Sequence, residues 1–221
     1  NFYEDLETSS SATNIIKRQE GNYIENLLSY SITYNKLNQN FQPSDGFKNR
    51  FSQTLPLISD DKSLENRIAS SVYHSISDNL ILSANFLLKT INSLEDNVRV
   101  SKRVFIPSRR LRGFESGKIG PKDGSQYIGG NYASSLNLNS TLPNLFFENE
   151  SIDFNFFLDF ANVWEVDYDN SLDSNKIRSS TGIAFNWFSG IGPLTFSYAI
   201  PLSEADTDVT ERFRFQIGTS F

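Results

Sequence analysis

Segments in which apolar and polar side chains strictly alternate recur along most of this sequence. In the stretch 194–200, for example, Leu, Phe, Tyr and Ile alternate with Thr, Ser and Ala. A period of two is typical of a β-strand with one apolar and one polar face, because successive side chains point to opposite sides. The pattern predicts about nine or ten strands. They fall near residues 23–35, 47–57, 68–76, 80–91, 135–139, 154–160, 183–187, 194–200 and 212–221, with a remnant at 2–3.

The composition indicates which environments the two faces of these strands require. Only 38% of the 221 residues are hydrophobic, yet the chain contains 19 Phe, 9 Tyr and 2 Trp. The polar phase of the strands includes Asp159, Arg212 and Arg214, which a tightly packed soluble core would not accept without partners. A water-filled lumen would accept them, and aromatic-rich faces are typical of strands that contact lipid. The sequence therefore predicts an all-β chain forming a transmembrane antiparallel β-barrel, with a secreted β-sandwich as the alternative.

The predicted number of strands indicates part of a barrel. Strands of about ten residues are long enough to cross a bilayer when they are tilted. An open sheet edge in lipid would leave backbone groups unpaired, and bacterial single-chain barrels have an even number of strands. The N-terminal stretch Asn1–Asp5 also lacks the basic and apolar regions of a signal peptide. We therefore expect the sequence to be a fragment of a longer protein.

The charge and the rare residue types disfavour several functions. A net charge of −6 argues against nucleic acid as a partner, since phosphate binding needs a basic surface. With no Cys and a single His, His74, the chain has little from which to build a zinc site or a Ser-His pair. Glu204, Asp206 and Asp208 lack the remaining spacing of a calcium loop, and no enzyme motif is recognisable. We predict no enzymatic activity, no metal and no cofactor.

One long segment, residues 92–131, interrupts the alternating pattern. Connections of this length in a strand-dense chain are usually functional. Near its centre lies the stretch Leu111-Arg112-Gly113-Phe114, which we call the Arg112 motif. Judged by residue type alone, Arg112 would be a solvated loop arginine.

The order and spacing of several stretches resemble the BamA-type family of outer-membrane assembly barrels. The stretches are Thr33–Leu37, Pro43–Gly46, Leu111–Phe114, Ile119–Pro121, Phe157–Trp164, Gly192–Leu202 and Arg212–Phe221. The resemblance runs from about Tyr23 to the C-terminus. It implies a barrel of roughly sixteen strands that is preceded by periplasmic POTRA domains. This chain would hold about the last nine of those strands.

The same resemblance implies how the chain is organised. Residues 1–22 would be a strand remnant with an extracellular loop, and residues 23–221 would be the C-terminal part of the barrel. The segment 92–131 would enter the lumen from the extracellular side. Residues 143–150 and 189–191 would be periplasmic turns.

The resemblance further implies a role for the Arg112 motif. Arg112 would meet Asp159 on the inner wall, because a guanidinium offers a rigid fork of donors to a carboxylate. Gly113 would allow a sharp turn, and Phe114 would be an apolar anchor. A second acidic residue that is common in the family is replaced here by Asn137, so we expect the loop to be held less firmly.

The last strand has a separate implied role. Phe213, Phe215, Ile217 and Phe221 provide its apolar positions, and Gly218 is expected to weaken the strand interior. In the family this strand pairs weakly with the first strand, and precursor strands are added at that seam. Phe221 also fits the terminal aromatic of the signal that assembly machinery reads on its clients.

The function implied by the resemblance is non-enzymatic folding and insertion of precursor β-barrels into the outer membrane. The implied partners are unfolded outer-membrane β-barrel precursors, accessory assembly lipoproteins and the lipid bilayer. Two alternatives stay open on sequence grounds. One is a TamA-like or two-partner-secretion barrel, which shares the loop motif, and the other is a passive porin or barrel anchor.

Overall fold

The computed structural model describes residues 2–10, 12–95, 97–143, 152–173, 175–189 and 192–218. In chain order, its strands are β1 (Phe2–Leu6), β2 (Gly21–Asn35), β3 (Gly46–Ser59), β4 (Ser63–Ser77), β5 (Leu80–Ser93), β6 (Gly113–Phe114), β7 (Lys122–Asp123), β8 (Gln126–Tyr127), β9 (Tyr132–Pro143), β10 (Ile152–Trp164), β11 (Arg178–Ser189), β12 (Gly192–Ser203), β13 (Thr210–Glu211) and β14 (Phe213–Ile217). The helical elements are the single turn α1 (Asn14–Lys17) and the 3₁₀ turns Val100–Lys102, Ser108–Arg110 and Asn170–Leu172. No helix in the described part of the chain is long and apolar enough to cross a membrane.

Ten of these strands form one antiparallel sheet, in the order β1-β2-β3-β4-β5-β9-β10-β11-β12-β14. Each long strand pairs with its neighbours in the chain, as in an up-and-down barrel. Among the described residues no pairing joins β1 to β14, so the sheet is open. The prediction of an all-β, antiparallel barrel-type chain is confirmed, and the sheet has the geometry of part of a barrel.

The two faces of this sheet differ in chemistry. On what we call the outer face, large apolar side chains are exposed, including Trp187 and Tyr198. Aromatic rings meet across neighbouring strands there, with 4.7 Å between the ring centroids of Phe196 and Phe215. The opposite, inner face carries mainly polar side chains, and the segment after β5 covers part of it. This division follows directly from the alternating sequence.

Connections of different length lie at the two ends of the sheet, because neighbouring strands are antiparallel. The long-loop end has the connections 7–20, 60–62, 94–131, 165–177 and 204–212. The short-loop end has the connections 36–45 and 78–79. The turns predicted at 143–150 and 189–191 fall mainly on residues outside those described.

The segment 94–131 is packed into the core and is not a free loop. One apolar cluster joins its side chains to β9 and β10, and consists of Ile106, Leu111, Phe114, Ile119, Ala133, Ala161 and Val163. A second cluster joins Ile128 of the segment to Ile16 of α1 and to Val166. Burial of this apolar surface, at roughly 25 cal/mol per Å², attaches the segment to the sheet.

Two differences from the sequence-based expectations concern the ends of the chain. Residues 1–22 were expected to be a strand remnant with a loop, but they also include α1, whose Ile16 is buried. A single helical turn with one buried side chain is too short to produce a periodic signal. The last strand was expected at 212–221 with Gly218 in its interior. Instead, β14 spans Phe213–Ile217, and Gly218 follows it with a φ of +107°, which lies outside the strand region.

Candidate functional site around the Arg112 motif

The Arg112 motif is fixed against the inner face of the sheet. Leu111 and Phe114 are each 1% exposed, and β6 pairs with β13 at the long-loop end. Gly113 has a φ of +91°, and a Cβ atom at this position would lie 3.1 Å from Cβ of Ala199. The positive φ therefore favours glycine here, and the close approach of Ala199 adds to that preference.

The guanidinium of Arg112 forms a two-pronged contact with the carboxylate of Asp159. Its Nε and Nη2 atoms each lie 2.7 Å from an Asp159 oxygen. The backbone N–H of Arg112 donates to the same carboxylate at 3.1 Å. Asp159 is 0% exposed and the Arg112 side chain only 15%, so water screens this pair far less than it screens a surface ion pair. Bidentate geometry gives the contact direction as well as energy.

Asn137, on the neighbouring strand β9, adds neutral hydrogen bonds to this pair. Its Nδ2 group donates to Oδ1 of Asp159 at 2.8 Å and to the carbonyl oxygen of Arg110 at 3.0 Å. An ionised carboxylate at position 137 could donate to neither acceptor and would repel Asp159. The amide thus contacts both the carboxylate and the loop backbone.

Three further residues hold Arg112, and sequence reasoning did not single them out. Cζ of Arg112 lies 3.5 Å from the ring centroid of Phe157, which is on the inner face and 4% exposed. Asn139 accepts from Nη2 of Arg112 at 2.9 Å, and Ser180 donates to its carbonyl oxygen at 2.5 Å. Only Phe157 carried a sequence signal, namely a large apolar side chain at a polar-phase position of its strand.

Phe157→Leu should weaken the attachment of the Arg112 motif by about 1–2 kcal/mol, through the lost cation–π contact and a small cavity. Trypsin cleavage after Arg109 or Arg110 in the native full-length protein should then be about tenfold faster, because cleavage follows local opening. Phe156→Leu is the matched control, since Phe156 is 50% exposed on the outer face. Equal cleavage rates in the two variants would contradict the role given to Phe157.

The residues predicted for the last strand lie apart from this pair but are linked to it. Phe213, Phe215 and Ile217 are exposed on the outer face, and β14 pairs with β12 over five residue pairs. Between them, Arg214 faces inward, and its Nη2 donates to the carbonyl oxygen of Phe114 at 3.1 Å. Arg214 also forms an ion pair with Glu211 of β13. Phe221 lies outside the described residues.

A second buried ion cluster, also missed from the sequence, lies at the long-loop end. Arg99 contacts the carboxylates of Glu4, Glu25 and Asp61, and its Cζ lies 3.7 Å from the ring centroid of Tyr23. The Arg99 side chain is 6% exposed. Lys102 gives Glu25 a second cation at 2.7 Å. The cluster joins the segment after β5 to β1, to β2 and to the β3–β4 connection.

Other arginine–carboxylate pairs continue around the long-loop end. Arg103 contacts Asp167, and Arg178 contacts Asp208 at 2.9 Å with both side chains nearly inaccessible. Among the residues that the structure describes, no group of three or more His, Asp or Glu side chains could hold a metal ion. The arrangement is one of structural ion pairs that tie loops to the sheet.

Comparison with known proteins gives consistent matches. The profile described as the Omp85 superfamily domain matches residues 1–221. The outer membrane protein assembly factor BamA of Neisseria meningitidis serogroup B is 31% identical over 139 residues, which are 50% of this chain and 17% of that protein. BamA of Nitratidesulfovibrio vulgaris is 26% identical over 232 residues, covering 99% of this chain and 28% of that protein. BamA of Neorickettsia risticii is 27% identical over 227 residues, covering 100% and 30%.

A solved structure extends the match to three dimensions. The crystal structure of BamA from Haemophilus ducreyi lacking POTRA domains 1-3 superimposes with a TM-score of 0.78 at 29% identity. The superposition covers 86% of this chain and 41% of that one. The chain spans at most 30% of the length of the curated relatives described above.

Proposed function

Because the chain belongs to the Omp85 superfamily, we propose that it is the barrel part of a factor that folds and inserts precursor β-barrels into a membrane. The membrane is the bacterial outer membrane, where this family and these relatives reside. Three relatives carry the name of outer membrane protein assembly factor, which supports the proposal. The work needs no enzymatic step and no cofactor, since strand pairing itself provides the driving force.

The last strand is the proposed point of client contact. An edge strand presents unpaired N–H and C=O groups, which can template another strand. β14 has only five residues, fewer than half the length of its neighbour β12. The positive φ of Gly218 places a flexible residue directly after it. A short edge strand with apolar side chains on its lipid face is suited to opening and to pairing with an incoming strand.

The Arg112 motif is the proposed internal strut of this edge. The buried bidentate Arg112–Asp159 contact is the observation that carries this assignment, because it fixes the motif to β10 at a defined position. From there, the Arg214–Phe114 hydrogen bond and the β6–β13 pairing lead to β14. A loop seated by Arg112 therefore supports the strand at which clients would be added.

The proposed organisation and partners follow the family. Residues 1–22 would carry a strand and an extracellular loop, and residues 23–221 the C-terminal part of the barrel. The long-loop end would face the cell exterior, with 92–131 entering the lumen. Unfolded β-barrel precursors, accessory assembly lipoproteins and the lipid bilayer would be the partners, and POTRA domains would belong to the same protein.

Arg112→Ala tests the proposal in cells in which the full-length protein is the only assembly factor. We expect the amount of folded client barrels in the outer membrane to fall several-fold, while the variant barrel itself still inserts. Heat-modifiable migration in gel electrophoresis measures both quantities.

Arg50→Ala is the control, since Arg50 lies on the inner face of β3 and, among the described residues, its side chain donates to the neutral Ser31 hydroxyl and forms no ion pair. Normal client levels in the Arg112→Ala strain would contradict the strut. Loss of the Arg112→Ala barrel itself from the membrane would show that Arg112 acts only on the stability of the barrel.

A further inference from the structure

A water-accessible cavity of about 420 Å³ lies between the Arg112 motif and the inner face. Six basic side chains line it: Lys48, Arg67, Arg109, Arg110, Arg112 and Arg214. Most other lining residues are neutral amides and hydroxyls, such as Asn85 and Ser71, and the described part of the lining includes no Asp or Glu. A cavity walled by cations and neutral donors, in a chain of net charge −6, is an unusual local concentration of positive charge.

Among the residues that the structure describes, two of the six cations form ion pairs and four do not. Arg112 contacts Asp159, and Arg214 contacts Glu211. By contrast, among the residues that the structure describes, no carboxylate lies within 4.0 Å of Lys48, Arg67, Arg109 or Arg110. Within the described part of the chain, the Arg110 side chain donates to the neutral Oδ1 of Asn137 at 3.3 Å, and Asp159 acts on it from beyond ion-pair distance. Like charges on the walls of one cavity repel one another, so an anion would relieve this arrangement.

The four cations come from opposite sides of the cavity. Arg109 and Arg110 belong to the 3₁₀ turn just before the Arg112 motif, whereas Lys48 and Arg67 stand on β3 and β4. Those strands are several positions away from β10 in the sheet, where Asp159 holds Arg112. A group bound by all four would therefore connect the loop to the second side of the inner face.

We propose that this cavity is an anion site in which Lys48, Arg67, Arg109 and Arg110 bind a multivalent oxyanion of the phosphate class. Guanidinium groups bind such oxyanions through paired N–H donors, and lysine adds a point charge. Several tetrahedrally arranged oxygens can engage donors from both walls at once, which a single carboxylate cannot. The bound anion is a second tether for the Arg112 motif, on the side opposite Asp159. Anion binding at this site does not depend on whether the barrel assembles clients.

We expect the oxyanion to be a free ion dissolved in the water of the lumen and not a lipid headgroup. The lining side chains project from the inner face, whereas lipid headgroups lie around the apolar outer face. Free phosphate or pyrophosphate therefore fits the position better than a phospholipid does. The two sources are separated experimentally by measuring binding in detergent without phospholipid.

The test is a calorimetric titration of the full-length protein, in phospholipid-free detergent, with inorganic phosphate and pyrophosphate. Chloride at the same ionic strength is the reference for simple screening. We expect saturable binding, tighter for pyrophosphate, and at least a tenfold loss of affinity in the Lys48→Gln/Arg67→Gln variant. Arg50→Gln is the matched control, because Arg50 is on the same strand face as Lys48 but does not line the cavity. Pyrophosphate should also slow trypsin cleavage after Arg109 and Arg110 in the parent protein.

Several results would overturn the proposal. Equal affinity of the Arg50→Gln and Lys48→Gln/Arg67→Gln proteins for pyrophosphate would show that the anion does not bind at this cavity. The same would follow if chloride at equal ionic strength produced the same heat and the same slowing of cleavage, because the effect would then be general charge screening. Binding that requires added phospholipid would show that the bound phosphate group belongs to a lipid headgroup. Absence of binding to a folded protein would mean that carboxylates elsewhere in the full-length chain already neutralise the four cations.

Discussion

Asp159→Ala is expected to release the Arg112 motif from the inner face, at a cost of about 3 kcal/mol or more in the free energy of local opening. Asp159 is 0% exposed and accepts hydrogen bonds from Arg112 and from Asn137. Truncating it leaves a largely buried guanidinium without its carboxylate, and breaking a buried pair in this way costs about 3–5 kcal/mol. Trypsin cleavage after Arg109 or Arg110 should become roughly a hundredfold faster.

A double-mutant cycle distinguishes a direct pair from two separate defects. Arg112→Ala, Asp159→Ala and the double variant should show a coupling energy of about 2 kcal/mol or more, because contacting residues are not additive. Asp169→Ala is the control, since in the described part of the chain the Asp169 carboxylate accepts hydrogen bonds from Ser171 of its own turn and from no residue of the Arg112 motif. Strictly additive effects of the two substitutions would show that Arg112 and Asp159 do not act as a pair.

Arg99→Met should destabilise the folded barrel by about 3 kcal/mol, because it removes the central cation from three carboxylates. Glu25 and Asp61 have side chains only 2% and 8% exposed, so water cannot replace the lost charge. Lys102 remains beside Glu25 and reduces the penalty without supplying a partner for Asp61. Methionine retains the unbranched apolar stem of arginine but has no guanidinium over the Tyr23 ring, so the change reports mainly the loss of the charged group.

Lys62→Met provides the comparison for a surface ion pair in the same region. Lys62 contacts Glu95, and their side chains are 47% and 53% exposed. Such a pair contributes at most about 1 kcal/mol. Guanidinium unfolding of both full-length variants in detergent micelles measures the difference. Similar unfolding midpoints for Arg99→Met and Lys62→Met would show that the Arg99 cluster contributes no more to stability than a surface ion pair does.

The fold class was predictable because a strand has a side-chain period of two, and local sequence expresses that period directly. The alternation in 194–200 and 183–187 placed Tyr198 and Trp187 on the exposed apolar face where the structure has them. Strand ends were less predictable. Gly218 fell outside β14 because of its positive φ, which the alternation of its neighbours cannot reveal.

The candidate site was partly accessible from the sequence, through resemblance rather than through spacing. Arg112 and Asp159 stand 47 residues apart in the chain, and no local pattern connects them. Phe157, Ser180 and Asn139 were not predicted to contact Arg112. Each acts on Arg112 only because β9, β10 and β11 are adjacent and in a particular register.

The sequence by itself determined the all-β class, the approximate strands, the two chemically different faces and the long inserted segment. These depend on side-chain periodicity and on the length of segments, both of which are local properties. Only the tertiary structure decided which charges meet, because ion pairs such as Arg99–Glu25 join residues distant in the chain. It also decided that four cations line one cavity whose described lining holds no carboxylate, since that depends on the loop lying opposite β3 and β4.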